Sequence, residues 1–413
     1  MALTAGNRVL ATLQPRRAVP VLGRVEARER RIPRRVAAIW GLMLLDALGY
    51  TGTFVHIPSI VGKAITQGAL PVALLLALSI NRKIIIRPNI ALCLITLLPL
   101  EAIVSAMAPE YFGSEYRTVR LIEFVAVLWL LTPWWGRRDV LLVRCHLGWL
   151  AVVLLSVLLG LLIAPGHALG TGRLNGVIWD IPPTQVAHYA AVATGLVIVF
   201  WLCGEASGRL TLVAVVVGGA MLVLTHTRTA LIGLVAAILV AGMSLIVARA
   251  RVRKLFAVAG LILAIAIMTL SSFITAWLSR GESTQQLTDL TGRTEVWGPL
   301  LNEPRSGIQE IFGFGLSNSS FNGLPIDSNW LSSYQEQGIF GVAVCILILL
   351  FLFINAYFQP RSLQRALALF LLTYCLIASF TEDGFTDATP YLLEIALAAS
   401  LLITARQADR AGP

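Results

Sequence analysis

Charge is scarce in this chain: Asp, Glu, Lys and Arg make up 13% of its 413 residues, about half the share in an ordinary soluble domain. That shortage argues against the two or three soluble domains that length alone would suggest. Histidine and cysteine are also scarce, with five of each. The cysteines (Cys93, Cys145, Cys203, Cys345 and Cys375) sit in or beside apolar runs, with neither metal-site nor disulfide-framework spacing. No P-loop, GxSxG, zinc-type histidine pair or CxxC occurs. The sequence therefore carries no signature of a phosphate-cradling loop, a serine-hydrolase elbow, a zinc site or a thiol redox pair. No internal repeat stands out, and no residue is assigned as a metal ligand.

What fills the chain instead is apolar sequence, 57% of all residues. The runs read as about 12 transmembrane helices of roughly 20 residues each. They cover 36–54, 68–80, 89–107, 119–133, 140–163, 185–203, 209–224, 229–247, 255–277, 338–357, 366–380 and 388–404. The expectation is an all-α polytopic membrane protein with one large extracytoplasmic loop containing short helices. Its parts are a basic cytoplasmic tail (1–35), nine spans (36–279), the loop (280–337), three spans (338–404) and a cytoplasmic tail (405–413). With the N-terminus inside, only Lys63, Arg117, Arg120, Arg173, Arg228, Arg280, Arg293 and Arg305 of the 32 basic residues fall outside. That asymmetry is the positive-inside pattern. The net charge of +10 then needs no nucleic acid; the basic tail reads as an anchor near anionic lipid, and no cleavable signal is expected.

The basic residues left outside raise the functional question. Arg228 lies in "LTHTRTALIGL", between two apolar runs with almost no linker. At the bilayer centre such a charge costs roughly 2.5 to 3.5 kcal/mol or more. Two readings stand: a helix-end arginine snorkelling to the interface, or a cation facing a polar cavity among Thr225, His226, Thr227 and Thr229, holding an anion. A guanidinium suits phosphate, being always charged and offering a planar fork of donors. Arg173, in "GTGRLNG", is either a loop arginine or the second half of a diphosphate clamp. Arg117 and Arg120 share a helical face, where an Arg120–Glu123 ion pair is the simpler account. Asp327, in "GLPIDSNWLSSYQEQGIFG", is a candidate general base, although Asp327 or Ser328 would also cap the helix that follows. Glu382, Asp383 and Asp387 in "FTEDGFTDATP" are placed to hold a metal or an acceptor sugar, or are a solvated loop.

Taken in order, these elements resemble the O-antigen ligase, O-antigen polymerase and exopolysaccharide polymerase superfamily. "THTRTALIGL" is similar to its "SRTALLG"-type motif, and "GRTEVW" (Gly292, Arg293, Trp297) to the "GR…W" that opens its large loop. "EPRSGIQEIFGFG" resembles the "P…GxG" element, and "DSNWLSSYQEQGIFG" fits "HNxxLxxxxExGxxG" at Leu331, Glu336, Gly338 and Gly341. "GRLNGVIWDIPPTQVAHYAA" and the "TED" of 381–383 match two further elements, so the likeness spans most of residues 115 to 400.

The resemblance implies a GT-C-like glycosyltransferase in a bacterial inner (plasma) membrane, multi-pass, with both termini cytoplasmic and the active site extracytoplasmic. Its donor would be a polyprenyl-diphosphate-linked glycan and its acceptor a second glycan, with membrane lipids, a chain-length regulator or a flippase as partners and no cofactor. On that pattern Asp327, Arg228 and Arg173 are catalytic; Arg228, Arg173, Arg293 and Arg120 bind the diphosphate; and Glu336, Glu382 and Asp383 bind the acceptor. Asp327 stands where ligases carry histidine and Ser328 where they carry asparagine, which favours a polymerase over ligase-type transfer to a lipid or protein. Other classes are a transporter of an anionic solute, which usually shows inverted repeats, and a structural subunit without chemistry.

Overall fold

The computed structural model describes residues 21–48, 58–106, 114–246, 249–254, 256–258, 293–317 and 319–403. Among the described residues the architecture is all-helical apart from one hairpin of two-residue strands, Ser320–Phe321 (β1) with Leu324–Pro325 (β2). In chain order the helices are α1 (Val21–Asp46), α2 (Ser59–Ile80), α3 (Ile90–Ala106), α4 (Ser114–Leu130), α5 (Leu141–Ile163) and the single turn α6 (Pro165–Ala168). Then come α7 (Pro183–Cys203), α8 (Gly208–Thr225), α9 (Arg228–Leu245), α10 (Arg293–Leu301) and α11 (Gly307–Phe312). After the hairpin follow α12 (Asn329–Phe358), α13 (Leu363–Ala378) and α14 (Pro390–Leu401).

Six of these, α2, α5, α7, α8, α9 and α12, have a stretch long and apolar enough to cross a membrane. α3, α13 and α14 are apolar but shorter. Each predicted span coincides with a helix except 255–277, which lies almost wholly outside the described residues. One boundary moves. α1 begins at Val21 and passes through Pro33 without a break, so part of the predicted basic tail is helix continuous with the first apolar run.

α7 sits at the centre. In its most apolar window 89% of residues are buried, against 28% in α5 and α8. Small residues allow this, because between apolar helices it is close backbone approach, not escape from water, that drives association. Gly195 of α7 lies under the Phe370 ring of α13, and Gly218 of α8 lies under Thr194 of α7. α14 is buried along its whole length.

The stretch "LTDLTGRTEVWGPLLNEPRSG" reads in sequence as one helix; its described part, from Arg293 on, is two. α10 ends at Leu301 before Pro304, and Ser306 starts α11 with a capping box to Gln309. Val296, Leu300 and Ile326 form a small core of their own, with Trp297, Phe321, Leu331 and Tyr334 packed on it. Arg305 braces it, its guanidinium 4.1 Å from the Tyr334 ring and 5.0 Å from that of Phe314.

α12 carries the break that matters most for the site. Gly338 has φ 62° and ψ −161°, outside helical geometry. The carbonyls of Gln335 and Glu336 accept instead from the amides of Phe314 and Gly315 at 2.9 Å, so the loop backbone takes the place of the next helical turn. A side chain at Gly338 would overlap the Ile311 backbone, and one at Gly313 the backbone of Glu336 and Gln337. Both positions also have positive φ, which glycine tolerates best.

Candidate functional site

The corner between α8 and α9 is built by its own threonines. α8 ends at Thr225, His226 turns the chain in the left-handed region at φ 50°, and α9 starts at Arg228. Thr225 Oγ1 donates back to the Leu222 carbonyl, and Thr227 Oγ1 donates to the Thr225 carbonyl. The Thr227 side chain therefore does not cap α9. The Arg173 loop docks here: the Leu174 amide donates to the Leu224 carbonyl at 3.0 Å. Arg173 Nε donates to the Thr225 carbonyl at 2.9 Å, and Nη2 to Thr227 Oγ1 at 3.1 Å. Arg173 and Arg228, 55 positions apart in the chain, thus share one corner, both partly buried. Burial pulls the Arg173 guanidinium below its ordinary value, with Glu382 acting in the opposite direction.

Glu382 arrives on the loop 379–389. Thr381 Oγ1 donates to Thr229 Oγ1 at 2.8 Å, one residue beyond Arg228. The other side of the loop is held by the first turns of α12. The Asn329 amide donates to the Ser379 carbonyl, and Asn329 Oδ1 accepts from the amides of Gly384 and Phe385 at 3.3 and 2.7 Å. Ser332 Oγ donates to Asp383 at 3.2 Å. Asp327 is partly buried, two residues before Asn329. The N-cap of α12 is Ser328, whose side chain makes no capping bond. One connected layer therefore carries Arg173, Arg228, Glu382, Asp383 and the Asp327 segment.

A second arginine pair lies in the same layer with a different set of partners. Arg120 donates to Asp46 at 2.7 Å, to Asp387 at 3.4 Å and to the Ala388 carbonyl at 2.7 Å. The expected Arg120–Glu123 pair is replaced by these long-range contacts. Arg117 meets Asp387 at 2.5 Å and Glu336 at 3.3 Å. Burial alone would raise the Asp387 carboxyl, but the guanidiniums of Arg117 and Arg120 outweigh it and hold Asp387 below its ordinary value. The opposite holds at Asp383, where burial wins and raises the carboxyl.

These contacts revise two of the predicted roles. Arg120, read as a diphosphate ligand, neutralises Asp46 and Asp387. Glu336, read as an acceptor ligand, is 1% exposed, and its Oε1 accepts from the amides of Ser317 and Ser319 at 2.9 Å. The two serine hydroxyls and Arg117 crowd the same oxygen. Glu336 holds the glycine- and serine-rich loop against α12, and a sugar hydroxyl would have to displace those donors. Arg293 begins α10, but its side chain lies outside the described residues.

Sequence reading missed Asn329, Ser332 and Thr381, which stitch the layer together, because their partners lie 50 to 152 positions away. The chain matches no protein-family model and no curated protein.

Proposed function

We propose that this chain is a glycosyltransferase that polymerises polyprenyl-diphosphate-linked oligosaccharide repeats of a cell-surface or secreted polysaccharide. In this reading it crosses a bacterial plasma membrane with about 12 helices in a GT-C-like arrangement. Both termini are cytoplasmic and the layer described above is extracytoplasmic.

The observation that carries the reading is the shared corner of Arg173 and Arg228. An arginine in the first turn of α9 opposes the helix dipole. Together with helix amides that Thr227 does not cap, it makes that end a favourable seat for an anion. A diphosphate fits, because each phosphate can take a guanidinium fork. Charge grows on the diphosphate as the glycosidic bond breaks, so cations fixed there stabilise the transition state more than the ground state. Glu382 and Asp383 stand beside the corner as acceptor ligands, and Asp327 is the base for the acceptor hydroxyl.

The test is purified protein in lipid nanodiscs with a polyprenyl-diphosphate oligosaccharide as the only substrate. A ladder of longer products is expected. Transfer to a lipid or protein acceptor without a ladder makes the chain a ligase. Absence of any transfer, with intact donor recovered, ends the transferase reading.

A further inference from the structure

Below the layer, inside the helix bundle, five helices converge on one carboxylate. Glu394 of α14 is fully buried, and its Oε1 lies 2.9 Å from His188 Nε2 of α7 and 3.4 Å from His146 Nε2 of α5. Its Oε2 accepts from the Cys375 thiol of α13 at 3.5 Å. Trp40 of α1 donates its indole N–H to His146 Nδ1 at 3.2 Å. That bond settles the state of His146. Nδ1 must offer a lone pair, so the ring is neutral with its proton on Nε2, facing Glu394. It also argues against a metal ion at Nε2, because a metal-bound neutral imidazole carries its proton on the other nitrogen. Among the described residues no group of three or more such side chains is arranged to hold a metal.

His188 differs. Three tyrosine rings surround it: Tyr391 with its centroid at 4.2 Å, and Tyr189 and Tyr374 each at 5.4 Å. A carboxylate oxygen 2.9 Å from Nε2 favours a cation there, and an isolated carboxylate at this depth is too costly to keep. We propose that Glu394 and His188 form a carboxylate–imidazolium pair, with neutral His146 as a second donor, locking α14 to α7. The other groups facing the pair, Cys375 and the three tyrosines, are neutral hydroxyls and a thiol.

The position gives the lock a task. His188 lies in the second turn of α7, just after the loop that carries Arg173, and Glu394 in the second turn of α14, just after the loop of Glu382 and Asp383. Resting on the proposed function, His188 and Glu394 are positioning residues that set the spacing between donor and acceptor loops.

Two measurements read the lock without any activity. Infrared difference spectra between the wild type and Glu394→Gln should show loss of an ionised carboxylate band, and nitrogen NMR, with the two rings assigned by His188→Gln and His146→Gln among the five histidines, should show His188 as an imidazolium and His146 as a neutral, Nε2-protonated ring. A protonated carboxyl band, or two neutral rings, overturns the proposal. A double-mutant cycle covers variants that fold poorly. Glu394→Gln and His188→Gln should each lower the melting temperature by roughly 5 °C, and the pair together by clearly less than the sum; additivity overturns the lock. If polymer formation is measurable, Glu394→Gln should lower kcat at least tenfold with KM for the donor nearly unchanged, and Glu394→Asp should restore part of it. An unchanged kcat sinks the positioning role while leaving the ion pair standing, and a chain without transferase activity that still shows the imidazolium separates the two proposals.

Discussion

Two pairs of arginines sit within one layer of this protein, and they do opposite things. Arg117 and Arg120 are bound by carboxylates from three separate segments, Asp46, Glu336 and Asp387. Arg173 gives its hydrogen bonds to a carbonyl and a hydroxyl, feels the carboxylate of Glu382 only through space, and shares its corner with Arg228. The difference teaches that the neutrality of its acceptors, more than the burial of an arginine, marks a candidate anion site. A carboxylate partner turns the same residue into a structural tie.

The sharpest way to break this contrast is Arg120→Ala. It leaves Asp46 buried without its cation and Asp387 with Arg117 alone, and should cost about 3–5 kcal/mol of stability, read as a lowered melting temperature in detergent. Adding Asp46→Asn should recover part of the loss. Arg228→Ala should instead lower the rate of the proposed polymer formation about 10²–10³-fold, far more than its effect on melting temperature accounts for. Arg228→Lys should recover little, since an ammonium has no planar fork. If Arg228→Ala unfolds the protein as Arg120→Ala does, the two pairs are not different in kind.

Glu336→Gln tests the intermediate case. Losing the charge that gathers Ser317, Ser319 and Arg117 should cost about 1.5–3 kcal/mol and make the 313–320 segment cleavable by protease.

The smallest effect is the pH dependence at Asp387. Its carboxyl is lower in the folded protein than its ordinary value of 3.8, so its contribution is fully present above that value and is lost as pH falls through the depressed one. The gap in melting temperature between the wild type and Asp387→Asn should therefore close as pH falls below 3.8. A gap that widens there contradicts the assignment.

Much of the fold was legible because apolar runs have length and periodicity, and each predicted run that falls on described residues is a helix. The corner at Arg228 was legible for a local reason: a charge between two such runs with no room for a linker forces a tight turn. What stayed hidden depends on distance along the chain. Asp46 meets Arg120 across 74 positions and Asp387 meets it across 267, and no spacing rule joins them. The same holds for His146, His188 and Glu394, which look like isolated polar residues until three helices bring them together. Arg120 and Glu336 show the same limit, since a side chain's type is visible in sequence while the partners that occupy it are not.

The burial of α7 has a consequence for the physiology of the site. A helix in contact with acyl chains must adjust its tilt when bilayer thickness changes, but α7 is screened by its neighbours on nearly every side. Lipids of different chain length will press on the outer ring of helices and leave this axle in place. The loop of Arg173, continuous with its leading end, should keep the same setting whether the cell grows in the cold or in the heat.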